Sequence, residues 1–398
     1  MKRYLLLTGM PPCKNYTSGL VLDQLCRFMP EDSIACFSVV NPALRATIST
    51  DLDWIPIEYA MKPQEDGGRI LPGRLGGFSS LFVETYNSLL AINPIANKAI
   101  TFGKKFGAEA VWCVLEGQTL IRLARRVAKG LGVPLLTQVW DPPYWWLREH
   151  RVDRLTRNLV LKEFSLALRE SACCAAASWA MAEQYAADFG TKTIPVIPSL
   201  DASLALPPAV KIHENSELII GLAGQIYSFQ EWNALIAALD SVDWKIADRE
   251  VKIRLLGRNA HLNTNGKMRV EFFGWSSQVD TIQLMSEADI LYCPYWFDPG
   301  FESEARLSFP SKLTTYLAAG RPVLFHGPSY ASPDIFLQNN NAGICCNTLD
   351  KDGIIACITR LISEDGLYAR LARNGSVAFQ SHLTLESMKE NFFRFLEI

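Results

Sequence analysis

Ser308-Phe-Pro-Ser-Lys-Leu-Thr-Thr-Tyr-Leu-Ala-Ala-Gly-Arg-Pro-Val323 reads as a helix start, a short helix of small and apolar residues, a glycine stop and a proline that opens a buried strand. A helix is expected over Lys312–Ala319. Lys312 then falls in the first turn, where unbonded backbone N–H groups favour an anion. Gly320 suits the helix C-cap and Pro322 forbids continuation. The strand Val323–Phe325 follows. A lysine at a helix N-terminus in an α/β chain reads as a phosphate seat or as an ordinary helix–strand unit, and these residues alone leave both open.

Outward from that stretch the pattern is α/β throughout. Strands are expected at Tyr4–Leu7, Ala35–Val40, Ala110–Val114, Leu135–Gln138, Ala172–Ala176 and Thr193–Ile197, with helices between most of them, including Leu20–Phe28 and Thr119–Lys129. Continuous apolar strands alternating with helices predict a parallel sheet covered on both faces. Pro195, Pro198, Pro207 and Pro208 then punctuate a stretch without helical period, which reads as a linker. A second series follows at Leu218–Leu222, Lys252–Leu256, Val270–Phe273, Ile290–Cys293, Val323–Phe325 and Ala342–Cys345. Helices are expected at Glu231–Leu239, Val279–Glu287, Lys312–Ala319 and Ile354–Glu364. The predicted division is 1–200, 201–380 and a final amphipathic helix, Leu385–Leu396, within 381–398. Two such domains in tandem are expected to leave a ligand cleft between them. No internal repeat or low-complexity tract is present.

A chain of 398 residues suits two domains, and 49% hydrophobic with 20% charged residues is globular. The net charge of −2 makes no case for nucleic acid. Residues 1–200 nevertheless carry 22 Lys and Arg against 18 Asp and Glu, and the remainder 17 against 23. A mildly basic first half suits an anionic acceptor or membrane surface, or ordinary solvated charge. The apolar run after Lys2 and Arg3 is too short for a secretory signal, and no run approaches a membrane span. Ten cysteines without CxxC spacing, among them the adjacent pairs Cys173–Cys174 and Cys345–Cys346, read as reduced structural thiols of a cytoplasmic protein. Five scattered histidines indicate no zinc site.

Pro310, Ser311, Lys312, Leu313, Tyr316, Ala318, Gly320, Pro322 and Val323 match a pattern PSKL-x-EY-x-A-x-G-x-PV. In this the chain resembles the GT-B-type, nucleotide-sugar-dependent glycosyltransferases, in particular the retaining family four, the glycosyl transferases group 1. The resemblance implies two Rossmann-like parallel-sheet domains facing across a cleft, the first binding acceptor and the second donor. It also implies a last helix that crosses back to the first domain. The segment Gly221-Leu-Ala-Gly-Gln-Ile-Tyr-Ser-Phe-Gln-Glu231 resembles the family's first donor loop. Gly224 follows a strand, and Ser228 with Glu231 forms a capping-box pattern. Gln225 stands where the family places an arginine, and Gln230-Glu231 falls near its lysine. Lys312 remains, with Arg258 as a second candidate cation or an exposed loop arginine. Trp275, ending Phe272-Phe-Gly-Trp, is a candidate to stack on the nucleobase or a core aromatic. Ser311 would present the helix N-terminus to the diphosphate.

The family's paired glutamates fall on Leu307 and Thr315 and are absent. Thr315 still offers a hydroxyl to a ribose. Asp298, Glu302 and Glu304, just upstream, are candidates to replace the sugar-proximal carboxylate, or else a solvated loop. In the first domain Thr8–Gly19 resembles the acceptor-side loop, with Gly19 expected near the donor phosphates. Asp141, in Val139-Trp-Asp-Pro-Pro-Tyr-Trp-Trp146, is the candidate to orient or deprotonate an acceptor hydroxyl. Its aromatic neighbours suit sugar rings, a lipid interface or simple packing. Arg148, Arg151, Arg154, Arg157 and Lys162 recur near helical spacing and suit a lipid-linked phosphate or an anionic membrane. The interleaved Glu149, Asp153 and Glu163 also fit a salt-bridged, solvated helix.

The expected activity is transfer of a sugar from a nucleotide-diphosphate sugar to a glycan or lipid-linked glycan in surface polysaccharide or glycolipid assembly. Retention of configuration, no metal cofactor, no nucleic-acid partner and peripheral contact with the inner face of a membrane complete the expectation. The rivals are a nucleotide-sugar 2-epimerase and a catalytically weak scaffold, the latter motivated by the missing glutamates and donor-loop cations.

Overall fold

The computed structural model describes residues 2–397 apart from 42, 64, 66–78, 80, 81, 84, 87–89, 151, 214, 215 and 258–268. The chain divides into two compact units, Met1–Val196 with Lys389–Ile398, and Ile197–Met388.

The first unit is a seven-stranded sheet of β1 (Tyr4–Thr8), β2 (Ile34–Val40), β3 (Ile57–Met61), β4 (Ala110–Val114), β5 (Leu135–Val139), β6 (Cys173–Ala176) and β7 (Thr193–Pro195). The order is β3-β2-β1-β4-β5-β6-β7, parallel throughout. Its helices are α1 (Thr17–Arg27), α2 (Ile92–Phe106), α3 (Gly117–Leu131), α4 (Pro143–Glu149), α5 (Arg154–Arg169) and α6 (Trp179–Phe189). Strands β1 and β4 are fully buried, as uninterrupted apolar runs between helical layers must be. The edge strand β3 escaped the sequence reading because Glu58 and Tyr59 interrupt its apolar pattern and only Ala60 is buried. Residues 389–398 complete this unit. Phe392 and Phe395 are fully buried against Trp112, with ring centroids 5.1 and 6.4 Å away, and Tyr4 Oη donates to the Leu396 carbonyl at 3.1 Å.

The second unit holds β8 (Glu217–Ala223), β9 (Lys245–Ile246), β10 (Arg249–Leu256), β11 (Val270–Phe272), β12 (Ile290–Pro294), β13 (Val323–His326) and β14 (Gly343–Cys346). The order is β11-β10-β8-β12-β13-β14, parallel, with β9 antiparallel on β10. Its helices are α7 (Phe229–Ser241), α8 (Gln278–Ser286), α9 (Glu302–Leu307), α10 (Ser311–Ala318), α11 (Ser332–Asn339), α12 (Lys351–Ser363), α13 (Leu367–His382) and the start of α14 (Leu385–Leu396). Leu218, Ile220 and Leu222 of β8 pack with Trp232 and Leu235 of α7 in the core. The proline-rich stretch is no loose tether. Leu206 N donates to the Ala318 carbonyl at 2.8 Å and Ala209 N to the Gly320 carbonyl at 2.9 Å. Among the described residues no helix is long and apolar enough to cross a membrane.

Each sheet reverses its strand order once, between β1 and β4 and between β8 and β12. In open α/β sheets ligands gather at the carboxyl edge beside such a reversal, because the loops there diverge and leave a crevice.

Candidate functional site

At the reversal in the second sheet, β8 runs into Gly224, whose φ of +88° favours glycine and whose missing Cβ would meet nothing within 4 Å. Gly224 N donates to the Leu256 carbonyl at 2.8 Å and Gly257 N to the Gly274 carbonyl at 2.7 Å, knitting the ends of β8, β10 and β11 together. A crevice of about 20 Å³ opens there, lined by Leu222, Gly224, Leu256, Gly257 and Phe272 among others.

Lys312 reaches this edge from the second position of α10. Its Nζ donates to the Gln225 carbonyl at 3.1 Å and lies 4.5 Å from the centre of the Tyr227 ring. Among the described residues no carboxylate pairs with it. Burial of the charged form pulls its ammonium down to about 8. Pro310 caps α10 without a side-chain bond, so the cation and the helix N-terminus act together as an uncompensated positive site. Ser311 is exposed at the first position. Thr315, one turn on, is half-buried and its hydroxyl makes no hydrogen bond among the described residues. The side chain of Gln225 is exposed, and its backbone carbonyl accepts from Lys312.

Tyr316 takes a part that its match to the family pattern did not reveal. Its fully buried hydroxyl accepts a hydrogen bond from Ala223 N at 2.8 Å, tying α10 to the last residue of β8. Tyr316→Phe would strand that amide. An expected loss of about 1–3 kcal/mol in urea denaturation follows from an unmet buried donor, and an unchanged midpoint would show that the bond does not hold the loop.

The capping box expected of Ser228 and Glu231 is not formed. Glu231 is 1% exposed and accepts instead from Phe297 N at 2.7 Å, so its carboxylate is committed to the loop after β12. The Ser228 hydroxyl is left buried at the head of α7, with no partner among the described residues. The aromatic group Tyr227, Tyr295 and Trp296 packs here, with ring centroids 4.8 to 6.3 Å apart, and Trp296 Nε1 donates to the Tyr227 carbonyl at 3.2 Å. Nothing local in Tyr295-Trp-Phe297 marks it as a site. It becomes one because β12 lies beside β8.

The acidic loop splits three ways. Asp298 caps its own turn, accepting from Gly300 N at 2.7 Å. Glu302 pairs with Arg306 at 2.9 Å on the surface. Glu304 is 5% exposed. Trp275 is 85% exposed, so the core reading fails and the ring stands open, with Phe272 and Phe273 also exposed. Arg258 lies outside the described residues. Among the described residues no three His, Cys, Asp or Glu form a metal-ligating group.

In the first unit Gly19 lies buried in the first turn of α1. A Cβ there would sit 2.1 Å from the Cys13 sulfur, so the residue is small because a buried thiol fills its space. Asp141 is exposed in the loop from β5 to α4, next to Trp140, whose buried indole N–H has no partner among the described residues. The reading of the sequence missed Glu116. It follows β4 at the strand reversal, accepts from Thr8 Oγ1 at 3.0 Å and Gly9 N at 2.8 Å, and burial raises its carboxyl above the usual range. Only the strand order shows that these β1 and β4 loops adjoin.

Residues 217–364 match the family described as glycosyl transferases group 1. The second unit carries a glycosyltransferase domain. The whole chain is similar to solved structures of GT-B proteins. Anabaena HepE in complex with UDP is 15% identical, with 99% of each chain covered and a TM-score of 0.66. The sucrose-phosphate synthase of Thermosynechococcus elongatus is 13% identical over 99% of this chain and 98% of that one, TM-score 0.66. The lipopolysaccharide outer core galactosyltransferase WaaB is 12% identical over 99% of each, TM-score 0.66. These likenesses establish the GT-B fold expected from Ser308–Val323. No curated protein matches the chain in sequence.

Proposed function

We propose that this glycosyltransferase moves a sugar from a nucleotide-diphosphate sugar to a glycan or lipid-linked glycan, with retention of configuration. The observation that carries the reading is Lys312, a partly buried ammonium that no carboxylate among the described residues pairs with, at an uncapped helix N-terminus beside the open Gly224 loop. Such a group gains most when negative charge builds on a leaving diphosphate, since part of its hydration is already lost. Ser311 and Ser228 would add hydroxyl or amide donors, Thr315 a ribose contact and Trp275 a face for the base. Glu304 is the acid of its loop best suited to the sugar, and Asp141 the group to orient an acceptor hydroxyl. The reading needs no metal, because Lys312 and the helix terminus meet the phosphate charge. HepE is seen with UDP and with UDP-glucose, which makes a uridine nucleotide the first to try. Cytoplasmic assembly of a surface polysaccharide or glycolipid, at a membrane face, is the setting in which this chemistry fits.

Calorimetry with UDP, GDP, ADP and CMP, with and without magnesium, tests it. One nucleotide is expected to bind saturably without magnesium, and Lys312→Ala to weaken it roughly 10- to 150-fold, the worth of a charge-assisted bond. No binding by any of the four would overturn the reading.

A further inference from the structure

Helix α5 presents two unlike faces. Thr156, Val160, Phe164, Ala167 and Leu168 are buried in the first unit. On the opposite side Leu155 and Leu159 are 59% and 50% exposed, and Lys162 follows at the next helical step, on the same stripe. Arg154 is exposed beside them.

Two acids of this region, which suited a salt-bridged solvated helix, are engaged elsewhere. Glu163 pairs with Arg125 of α3 at 3.1 Å. Asp153 caps α5, accepting from Leu155 N at 2.9 Å and Thr156 N at 3.1 Å. Among the described residues no carboxylate pairs with Arg154 or Lys162. The helix before it, α4, adds Tyr144 at 59% exposure. The two exposed leucines leave apolar area in water, beside cations that no carboxylate among the described residues pairs with. They suit a surface that offers both acyl chains and phosphates, with the long basic stems carrying their charge to headgroup height.

We infer that the outward face of α5 docks this protein on a bilayer containing anionic lipid. A protein partner would have to supply acids for both cations as well as cover for the leucines, whereas an anionic bilayer supplies both by composition. The inference rests on the glycosyltransferase reading only in that a lipid-linked acceptor is presented at such a surface.

Flotation of the full chain with vesicles tests it. Partition is expected onto vesicles rich in phosphatidylglycerol at low salt, to fall as salt is raised, and to be absent on pure phosphatidylcholine. Arg154→Gln with Lys162→Gln is expected to weaken it about 25-fold, near fivefold for each cation. Leu155→Ser with Leu159→Ser is expected to weaken it at least about tenfold at the same charge. Both pairs are exposed, so thermal melting should match the parent and exclude misfolding. No partition by the parent chain, or partition that survives both double variants, overturns the inference. A change of oligomeric state in the leucine variant by light scattering also overturns it, because the face would then join two copies. Nucleotide calorimetry on the same variants separates the two readings. Retained nucleotide binding with lost vesicle binding supports this one, whereas absent nucleotide binding in the parent would sink the donor reading and leave the vesicle result standing.

Discussion

Lys312→Met is expected to make the unliganded protein more stable while weakening donor binding 10-fold or more. The ammonium sits at about 8 instead of its ordinary 10.5 because burial penalises its charge. A depression of that size corresponds to at most roughly 3 kcal/mol of unfavourable charge burial, reduced by the water that still reaches this partly buried side chain. The contact with the Tyr227 ring and the bond to the Gln225 carbonyl offset part of it, so a net gain of about 1–2 kcal/mol is expected from methionine. The sign with pH follows from proton binding. Between pH 8 and 10.5 the unfolded chain holds the Lys312 proton and the folded chain releases it, so the parent becomes more stable as pH rises through that window. The methionine advantage is therefore full below about pH 8 and fades towards 10.5. Urea denaturation at neutral and alkaline pH reads this directly. A variant no more stable at pH 7, or one whose advantage grows with pH, would show that the charge is solvated. Nucleotide binding by the parent is also expected to weaken as pH rises above 8.

Gly320→Ala is expected to destabilise the second unit by about 3 kcal/mol or more. Gly320 has φ +68°, and a Cβ there would lie 2.6 Å from the Pro207 carbonyl oxygen and 3.1 Å from that of Leu206. Both neighbours are backbone held in place by the Leu206 and Ala209 hydrogen bonds to α10 and its cap, so nothing flexible can yield. Gly224→Ala is the matched control. It too has positive φ, but with open space around it only the backbone cost of about 1–2 kcal/mol applies. Equal losses from the two substitutions in denaturant titrations would mean that the contact with residues 206 and 207 is not the reason for Gly320.

These two glycines show how far local reading reaches. Gly320 was legible as a helix stop, since the Gly-x-Pro after small helical residues is a local signal. The carbonyl of Pro207, 113 positions away, that also forbids a side chain was not. The buried parallel strands were legible because a strand covered on both faces must be apolar along its length, which is why Tyr4–Leu7 and Ile290–Cys293 stand out. Strand β3 at the sheet edge and the two-residue β9 were not, because half-exposed or very short strands carry no such pattern. Ser228 and Glu231 had the spacing of a capping box, and the tertiary fold overrode it by bringing Phe297 N to the buried glutamate. Gly19 was expected near the donor phosphates, and its packing against the Cys13 sulfur carried no local signal.

By itself the sequence determined the α/β alternation, the helix at Lys312 with its glycine stop, and the family pattern those residues carry. Each depends on neighbours within a turn or two, where periodicity and backbone preference act directly. The tertiary structure alone decided which strand ends lie side by side. That order set Glu231 against Phe297, Lys312 over Tyr227, Tyr316 under Ala223 and Glu116 beside Thr8 and Gly9. Partners separated by 60 to 110 positions meet only because a parallel sheet reverses its strand order there, and no local propensity encodes that meeting.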